Sequence, residues 1–256
     1  MFVGIDHLVI AVRELESAIA SYSRAGFTVV RGGQHPIGTH NALIAFADGS
    51  YLELIAFLKP NTGHAWQAAL DKGGGIVDFC ARTDDLDADA EVMRNAGAKI
   101  GKPYQLTRVR PDGYHLSWVL AVPEPPFSGQ VPFLIKDETP RDERVPREWS
   151  HSNGASGIRT LAIAVNDPAT TSRYYANVLE HPAAPVNRTD LDATGVAFTM
   201  GPNSVQLLAS RTRNGPLAKW IGERGQSPYE LVLESASNNS FPLDPALLQG
   251  ARIRFV

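Results

Sequence analysis

Histidine and carboxylate side chains set into alternating apolar stretches are the residues with the most chemistry to offer. Residues 5–12, IDHLVIAV, are rich in β-branched types and read as a strand. Two-residue alternation puts Ile5, His7, Val9 and Ala11 on one face and Leu8, Ile10 and Val12 on the other. Residues 50–57, SYLELIAF, place Glu53 beside Tyr51 and Ile55, with Leu52 and Leu54 opposite. An imidazole and a carboxylate on apolar faces need a partner, because burying either alone is costly. Residues 32–43, GGQHPIGTHNAL, add His35, His40 and Asn41 in a glycine-containing stretch. A histidine there is a general base near neutral pH or a surface-loop residue. Residues 108–118, RVRPDGYHLSW, bring Arg108, Arg110, Asp112, His115 and Trp118 around a Pro-Asp-Gly turn. Arginine grips carboxylate or phosphate in a two-pronged way. Of the two, Arg110 reads as the binding residue and Arg108 as a solvated hairpin residue. Trp118 is assigned either to the core or to a substrate wall.

These residues need elements to hold them, and the chain repeats those elements. After the first strand, Leu15, Ala18, Ile19, Tyr22 and Ala25 recur at helical spacing, and Gly26 suits the helix end. FTVVRG, ALIAFADG and SYLELIAF then give three strands, with a hairpin turn at 47–50. The order strand, helix, three strands returns from residue 73, with Leu86, Ala90, Val92 and Met93 on its helix. It returns again from 157, where Asp167 suits a helix cap and Pro168 a first helical position. A fourth, shortened copy starts at SPYELVLES and ends in DPALLQGARIRFV. HAWQAALDKGGG follows the first unit and PLAKWIGERGQS the third, so a larger duplication encloses the smaller one. The expected domains are 1–140 and 157–256. Residues 137–156, charged and carrying Pro140, Pro146 and Gly154, read as a surface linker. Arg141, Asp142, Glu143 and Arg144 read there as linker charges. His64, His151 and His181 read as surface or capping residues.

Paired βαβββ units with IDHLVIAV at the front and YLELIAF at the close resemble the vicinal-oxygen-chelate superfamily. Residues 32–57, 110–122 and 132–146 resemble its glyoxalase-like subgroup. The resemblance implies an α+β fold of tandem βαβββ modules forming cupped mixed sheets. It also implies a divalent metal, zinc, iron, manganese or nickel, acting as a Lewis acid on a small oxygen-rich molecule. His7 and Glu53 occupy the positions at which the superfamily holds that metal. Aligning Ile5 with Ile76 puts Asp78 opposite His7 as a third ligand; aligning Gly49 with Gly129 puts Phe133 opposite Glu53. The missing donor is also open to His40. His35 and His40 are expected to move protons; Asn41, Tyr51, Arg110 and Trp118 are expected to touch substrate. Thr160 and Gln206 stand in for the ligands in the third unit and Glu230 in the fourth, so no metal is expected in the C-terminal half. The implied function is a metal-dependent lyase, isomerase or dioxygenase. The alternative is a metal-free binding protein for a drug or metabolite.

Bulk properties narrow the partners. A net charge of −3 over 256 residues gives no electrostatic reason for nucleic acid or anionic membrane as a partner. No apolar run approaches the roughly 20 residues of a membrane helix. Cys80 is the only cysteine, which excludes an intrachain disulfide and fits a reducing cytoplasm. A small-molecule ligand and a homodimer are the expected partners.

Overall fold

Alternating apolar faces and well-placed helix ends produce the repeated unit. The computed structural model describes residues 2–176, 179, 182–235 and 242–256. The first unit runs β1 (Phe2–Ala11), α1 (Leu15–Arg24), β2 (Val30–His35), β3 (Thr39–Ala45) and β4 (Tyr51–Phe57). Helix α1 buries Leu15, Ala18 and Tyr22, and Gly26 after it takes a φ of +87°, which a side chain would oppose. A short α2 (Ala65–Asp71) links to the second unit. That unit comprises β5 (Gly75–Thr83), α3 (Leu86–Asn95), β6 (Tyr104–Val109), β7 (His115–Ala121) and β8 (Phe133–Asp137). A one-turn α4 (Arg141–Arg144) leads on to β9 (Ala155–Ala164) and α5 (Pro168–Ser172), which Asp167 caps through the Ala169 amide. Then come β10 (Ala184–Arg188), β11 (Ala193–Met200), β12 (Asn203–Ser210), α6 (Pro216–Arg224), β13 (Ser227–Ser235) and β14 (Ile253–Phe255).

The first two units close into an eight-stranded barrel in the order β1-β4-β3-β2-β6-β7-β8-β5. The later units form a six-stranded sheet, β10-β11-β12-β9-β13-β14. The arrangement is the same in both: β9, β12, β11 and β10 repeat β1, β4, β3 and β2, while β13 and β14 repeat β5 and β8. Register repeats as well. Val9 pairs with Glu53 and Asp78, and Ala162 pairs with Gln206 and Glu230. Cys80 pairs with Phe133 in the same way. Thr160 therefore stands in the place of His7, Gln206 and Phe133 in that of Glu53, and Glu230 in that of Asp78.

One feature of the register breaks simple alternation. Ile5 pairs with Ala81 and His7 with Cys80, so Asp6 is an extra, bulged residue. The same bulge falls at Val77, Arg159 and Tyr229 in the other three units. It corrects the expected face assignment: Ile5 joins Leu8 and Ile10 in the outer core, while His7 and Val9 face into the barrel.

The outer faces of both halves share a core. Leu8, Ile10, Leu52 and Leu54 from the barrel join Ile158, Leu161, Leu207 and Leu231 from the sheet, with Tyr22 and Met93 from the helices. Each such side chain fully removed from water stabilises the fold by roughly 1.5–3 kcal/mol. Tyr22 donates to the Leu248 carbonyl at 3.0 Å, which ties the first unit to the last. Among the described residues, no helix is long and apolar enough to cross a membrane.

Candidate active site

The barrel interior holds a cavity that is partly open to solvent and lined by residues of both units. Its walls are apolar, from Ile55, Trp66, Leu106, Trp118, Leu120, Phe133 and Ile135. His7, His35, Tyr51, Glu53, Arg108 and Arg144 provide its polar lining.

His7 and Glu53 meet there. His7 Nε2 lies 3.6 Å from Glu53 Oε2, and His7 Nδ1 lies 2.8 Å from Asp6 Oδ1. The bulge makes the second contact possible, because it brings two consecutive residues to one polar cluster. Asp6 is ionised: burial opposes this, but Arg144, His7 and Arg141 hold its carboxyl well below the usual range. An ionised carboxylate only accepts, so His7 Nδ1 carries the donated proton. Tyr51 stacks on the His7 ring, with centroids 4.5 Å apart, and Phe133 meets it edge-on at 5.3 Å. Glu53 is ionised too. Burial opposes it, but His7, His35, a 2.5 Å hydrogen bond from Asn41 and the charge of Arg108 lower its pKa.

With Nδ1 protonated, the Nε2 of a neutral His7 is a bare lone pair facing a carboxylate. A separation of 3.6 Å is too long for a good hydrogen bond. The arrangement asks for a positive charge between the two groups, either a proton on Nε2 or a cation. The donor types fit a divalent ion, and a carboxylate behind the imidazole is the usual support of a metal-bound histidine. A third preformed protein donor does not join them. Among the described residues, the one group of three ligand types within 4.8 Å of one another is Asp6, His7 and Cys80. Asp6 in that group already accepts from Arg144 and Arg141, and burial pushes the Cys80 thiol far up.

The remaining expected residues divide. His35 lines the cavity, contacts Thr39 Oγ1 at 2.9 Å and meets Trp118 edge-on; burial pushes its pKa down to about 4, so it is neutral. Asn41 positions Glu53, and Tyr51 and Trp118 line the cavity. Asp78 is not grouped with His7 and Glu53. Its carboxyl accepts from the Phe79 amide at 2.9 Å and from Trp66 Nε1 at 3.4 Å, and burial raises its pKa to about 7. His40 borders a separate groove with Gln34, Val109 and Arg110, because alternation along β3 sends Thr39 and Asn41 to the buried side and His40 to the other.

The two arginines exchange the roles read from the sequence. Arg110 sits in an exposed cluster, paired with Asp112 and Glu143. Arg108 is 2% exposed and lines the cavity. Residues two apart share strand parity, so alternation does not separate them; Asp112 and Glu143 hold Arg110 at the rim. The supposed linker charges are also partly structural. Arg144 is fully enclosed and donates to Asp6, Asp137 and Tyr51, closing one side of the cavity. Arg141 pairs with Asp6 and donates to the Gly49 carbonyl. His151 is buried, bridging the Thr28 amide and the Ala45 carbonyl, while His64 caps α2 and His181 lies outside the described residues. Asp6, Arg108, Arg144 and Trp66 are the site residues that sequence reading missed. Arg108 and Arg144 were visible as charges but assigned to a solvated hairpin and a linker, and strict alternation would turn Asp6 away from His7.

Residues 5–179 match the family model described as a glyoxalase-like domain. A hypothetical protein from Staphylococcus aureus superposes with a TM-score of 0.70 at 14% identity, covering 98% of both chains. A triple mutant of 4-hydroxymandelate synthase from Streptomyces coelicolor gives 0.60 at 13% identity, covering 93% of this chain and 72% of that one. A xylose isomerase-like TIM barrel/4-hydroxyphenylpyruvate dioxygenase fusion protein gives 0.55 at 15% identity, covering 93% of this chain and 37% of that one. Identities this low speak to the fold alone. No curated protein matches the sequence. A match across residues 5–179, joined to repeated βαβββ units around one cavity, places this chain in the glyoxalase-like domain family of the vicinal-oxygen-chelate superfamily.

Proposed function

We propose that this chain is an enzyme that moves a proton on a small oxygen-bearing molecule held in the barrel, an isomerase or lyase type of reaction. The observation that carries the reading is the His7–Glu53 pair, 3.6 Å apart at the polar end of an apolar cavity. Glu53, ionised and screened from bulk water, serves as base. His7, oriented by Asp6 and Tyr51, takes or returns the proton at Nε2 and balances charge that develops on a substrate oxygen. Asn41 fixes the Glu53 carboxylate through Oε1 and leaves Oε2 for chemistry.

A second reading is favoured by the two acceptors that face each other. A divalent ion of zinc, iron, manganese or nickel would be held by His7 Nε2 and Glu53 and would supply Lewis-acid chemistry to adjacent substrate oxygens. The dioxygenase reading belongs with that second case. Elemental analysis of protein purified without chelator separates the two: near-stoichiometric metal that His7→Ala removes supports the second.

The test of an enzymatic role is deuterium wash-in from D2O, followed by NMR, across small hydroxyketones, 2-oxo acids and 2-hydroxy acids. Wild-type protein should catalyse exchange at a carbon beside the carbonyl, and Glu53→Gln should lose at least about 100-fold of the rate. Ligand binding without exchange or other turnover, unchanged in Glu53→Gln, would defeat the enzyme reading and leave a sequestering protein.

A further inference from the structure

The cavity carries a buried cation that forms no ion pair among the described residues. Six charged side chains surround the barrel's polar end: Asp6, Glu53 and Asp137 against Arg108, Arg141 and Arg144. Asp6 and Asp137 are taken up by Arg141 and Arg144. Arg108 and Glu53 remain, opposite in charge but forming no ion pair with each other. Among the described residues, no carboxylate comes within ion-pair distance of Arg108. Its Nη2 donates to the backbone carbonyl of Arg144 at 3.0 Å, and its Nε is buried without any hydrogen-bond partner. Its guanidinium carbon lies 6.0 Å from the Trp118 ring centroid. A buried guanidinium cannot shed its proton and loses its hydration, so folding with it unpaired is costly.

Space has been kept for this arrangement. A Cβ added at Gly32 would sit 2.1 Å from Asn41 Oδ1 and 3.1 Å from Arg108 Nη1. Any side chain at residue 32 would displace the two groups that flank the polar end.

We infer that the ligand of this cavity is a small monocarboxylate, its carboxylate neutralising Arg108 and its apolar body lying against Trp66, Trp118 and Phe133. A buried guanidinium favours an anion, and its planar fork matches a carboxylate. What Arg108 lacks is an anion in direct contact, because Glu53 balances its charge only from a distance and its Nε has no hydrogen-bond partner. A phosphate dianion would bring a second charge beside ionised Glu53, which disfavours it. Away from the polar end the walls are apolar, so the part of the ligand beyond its carboxylate and reacting carbonyl is apolar. The inference deepens the proton-transfer reading by naming the substrate class, and it rests on the same cavity.

Trp66 and Trp118 line the cavity, so their fluorescence reports its filling. Titration of the full-length protein with acetate, benzoate and phenylacetate, and with the neutral isostere phenylacetamide, tests the inference. Phenylacetate should bind at least about 10-fold more tightly than phenylacetamide. Arg108→Gln should abolish that preference, whereas Arg110→Gln should keep it. Glu53→Gln should tighten carboxylate binding, because a like charge is removed. The acid–amide comparison in wild-type protein stands even if Arg108→Gln does not fold. Equal affinity for acid and amide overturns the inference, as does failure of every carboxylate to bind. A preference that survives Arg108→Gln, or phosphate displacing phenylacetate with equal affinity, also overturns it. Loss of exchange in Glu53→Gln with the acid preference intact supports both readings. Exchange that persists in Glu53→Gln condemns the proton-transfer reading alone; lost preference with exchange intact condemns this one alone.

Discussion

The barrel and the C-terminal sheet are built from the same unit with the same bulge, yet they use its positions in opposite ways. In the barrel the bulged residue is Asp6, buried against Arg144 and His7; in the sheet it is Arg159, paired with Glu234 at the surface. Glu53 is replaced by Gln206, and Asp78 by Glu230. Arg188 in the sheet is saturated: it donates to Asp190, Gln206 and Glu230, and Glu230 accepts from Arg254 as well. Arg108 in the barrel has a backbone carbonyl and an orphan Nε. The helix after the last strand of the unit differs in the same sense. Trp220 of α6 packs with Tyr229, Leu208 and Leu217, while Trp66 of α2 faces the cavity. A polar cluster that completes its own pairing is structural, and one left incomplete around a cavity awaits a ligand.

Four substitutions break or sharpen this contrast, in order of falling effect. Arg144→Met removes the cation that buried Asp6 and half-buried Asp137 share in the barrel. It should cost about 3–5 kcal/mol in denaturant unfolding, because Asp137 keeps only the distant Arg141. Asp78→Asn tests a buried acid whose counterpart, Glu230, is ion-paired. An unfolded aspartate ionises near pH 3.9, whereas folded Asp78 holds its proton up to about 7. Between those values the folded state binds the extra proton, so stability falls as pH rises and levels off above 7. Asp78→Asn should remove that slope, on the order of 1–3 kcal/mol between pH 5 and pH 8; equal slopes in melting curves of the two proteins would contradict it. Arg188→Met should cost about 1–2 kcal/mol, since Glu230 retains Arg254, and should leave carboxylate binding in the barrel untouched. A change in that binding would show that the two halves are coupled. Arg110→Gln breaks ion pairs with Asp112 and Glu143 at the rim and a hydrogen bond to the Glu143 carbonyl, and should cost less than about 1 kcal/mol in denaturant unfolding.

Much of the architecture was legible because it rests on local, repeated signals. The period of two in IDHLVIAV and YLELIAF, the helical spacing from Leu15 to Tyr22 and the Asp167–Pro168 helix start each answer to a few neighbouring residues. Duplication then multiplied the evidence fourfold. Glu53 was legible for the same reason, since its strand alternates without interruption beside Tyr51 and Ile55.

What the sequence by itself determined is the βαβββ unit, its repetition, the family resemblance and the inward facing of His7 and Glu53. Tertiary structure alone decided that Asp6 stands behind His7, that Asp78 is held by Trp66, and that Arg108 rather than Arg110 reaches the cavity. It also brought Arg144, 138 residues away along the chain, onto Asp6. The physical reason is range. Alternation and propensity act over a few residues, whereas a bulge depends on the register of a partner strand. The pairing of a buried charge depends on whatever distant segment the closed barrel brings beside it.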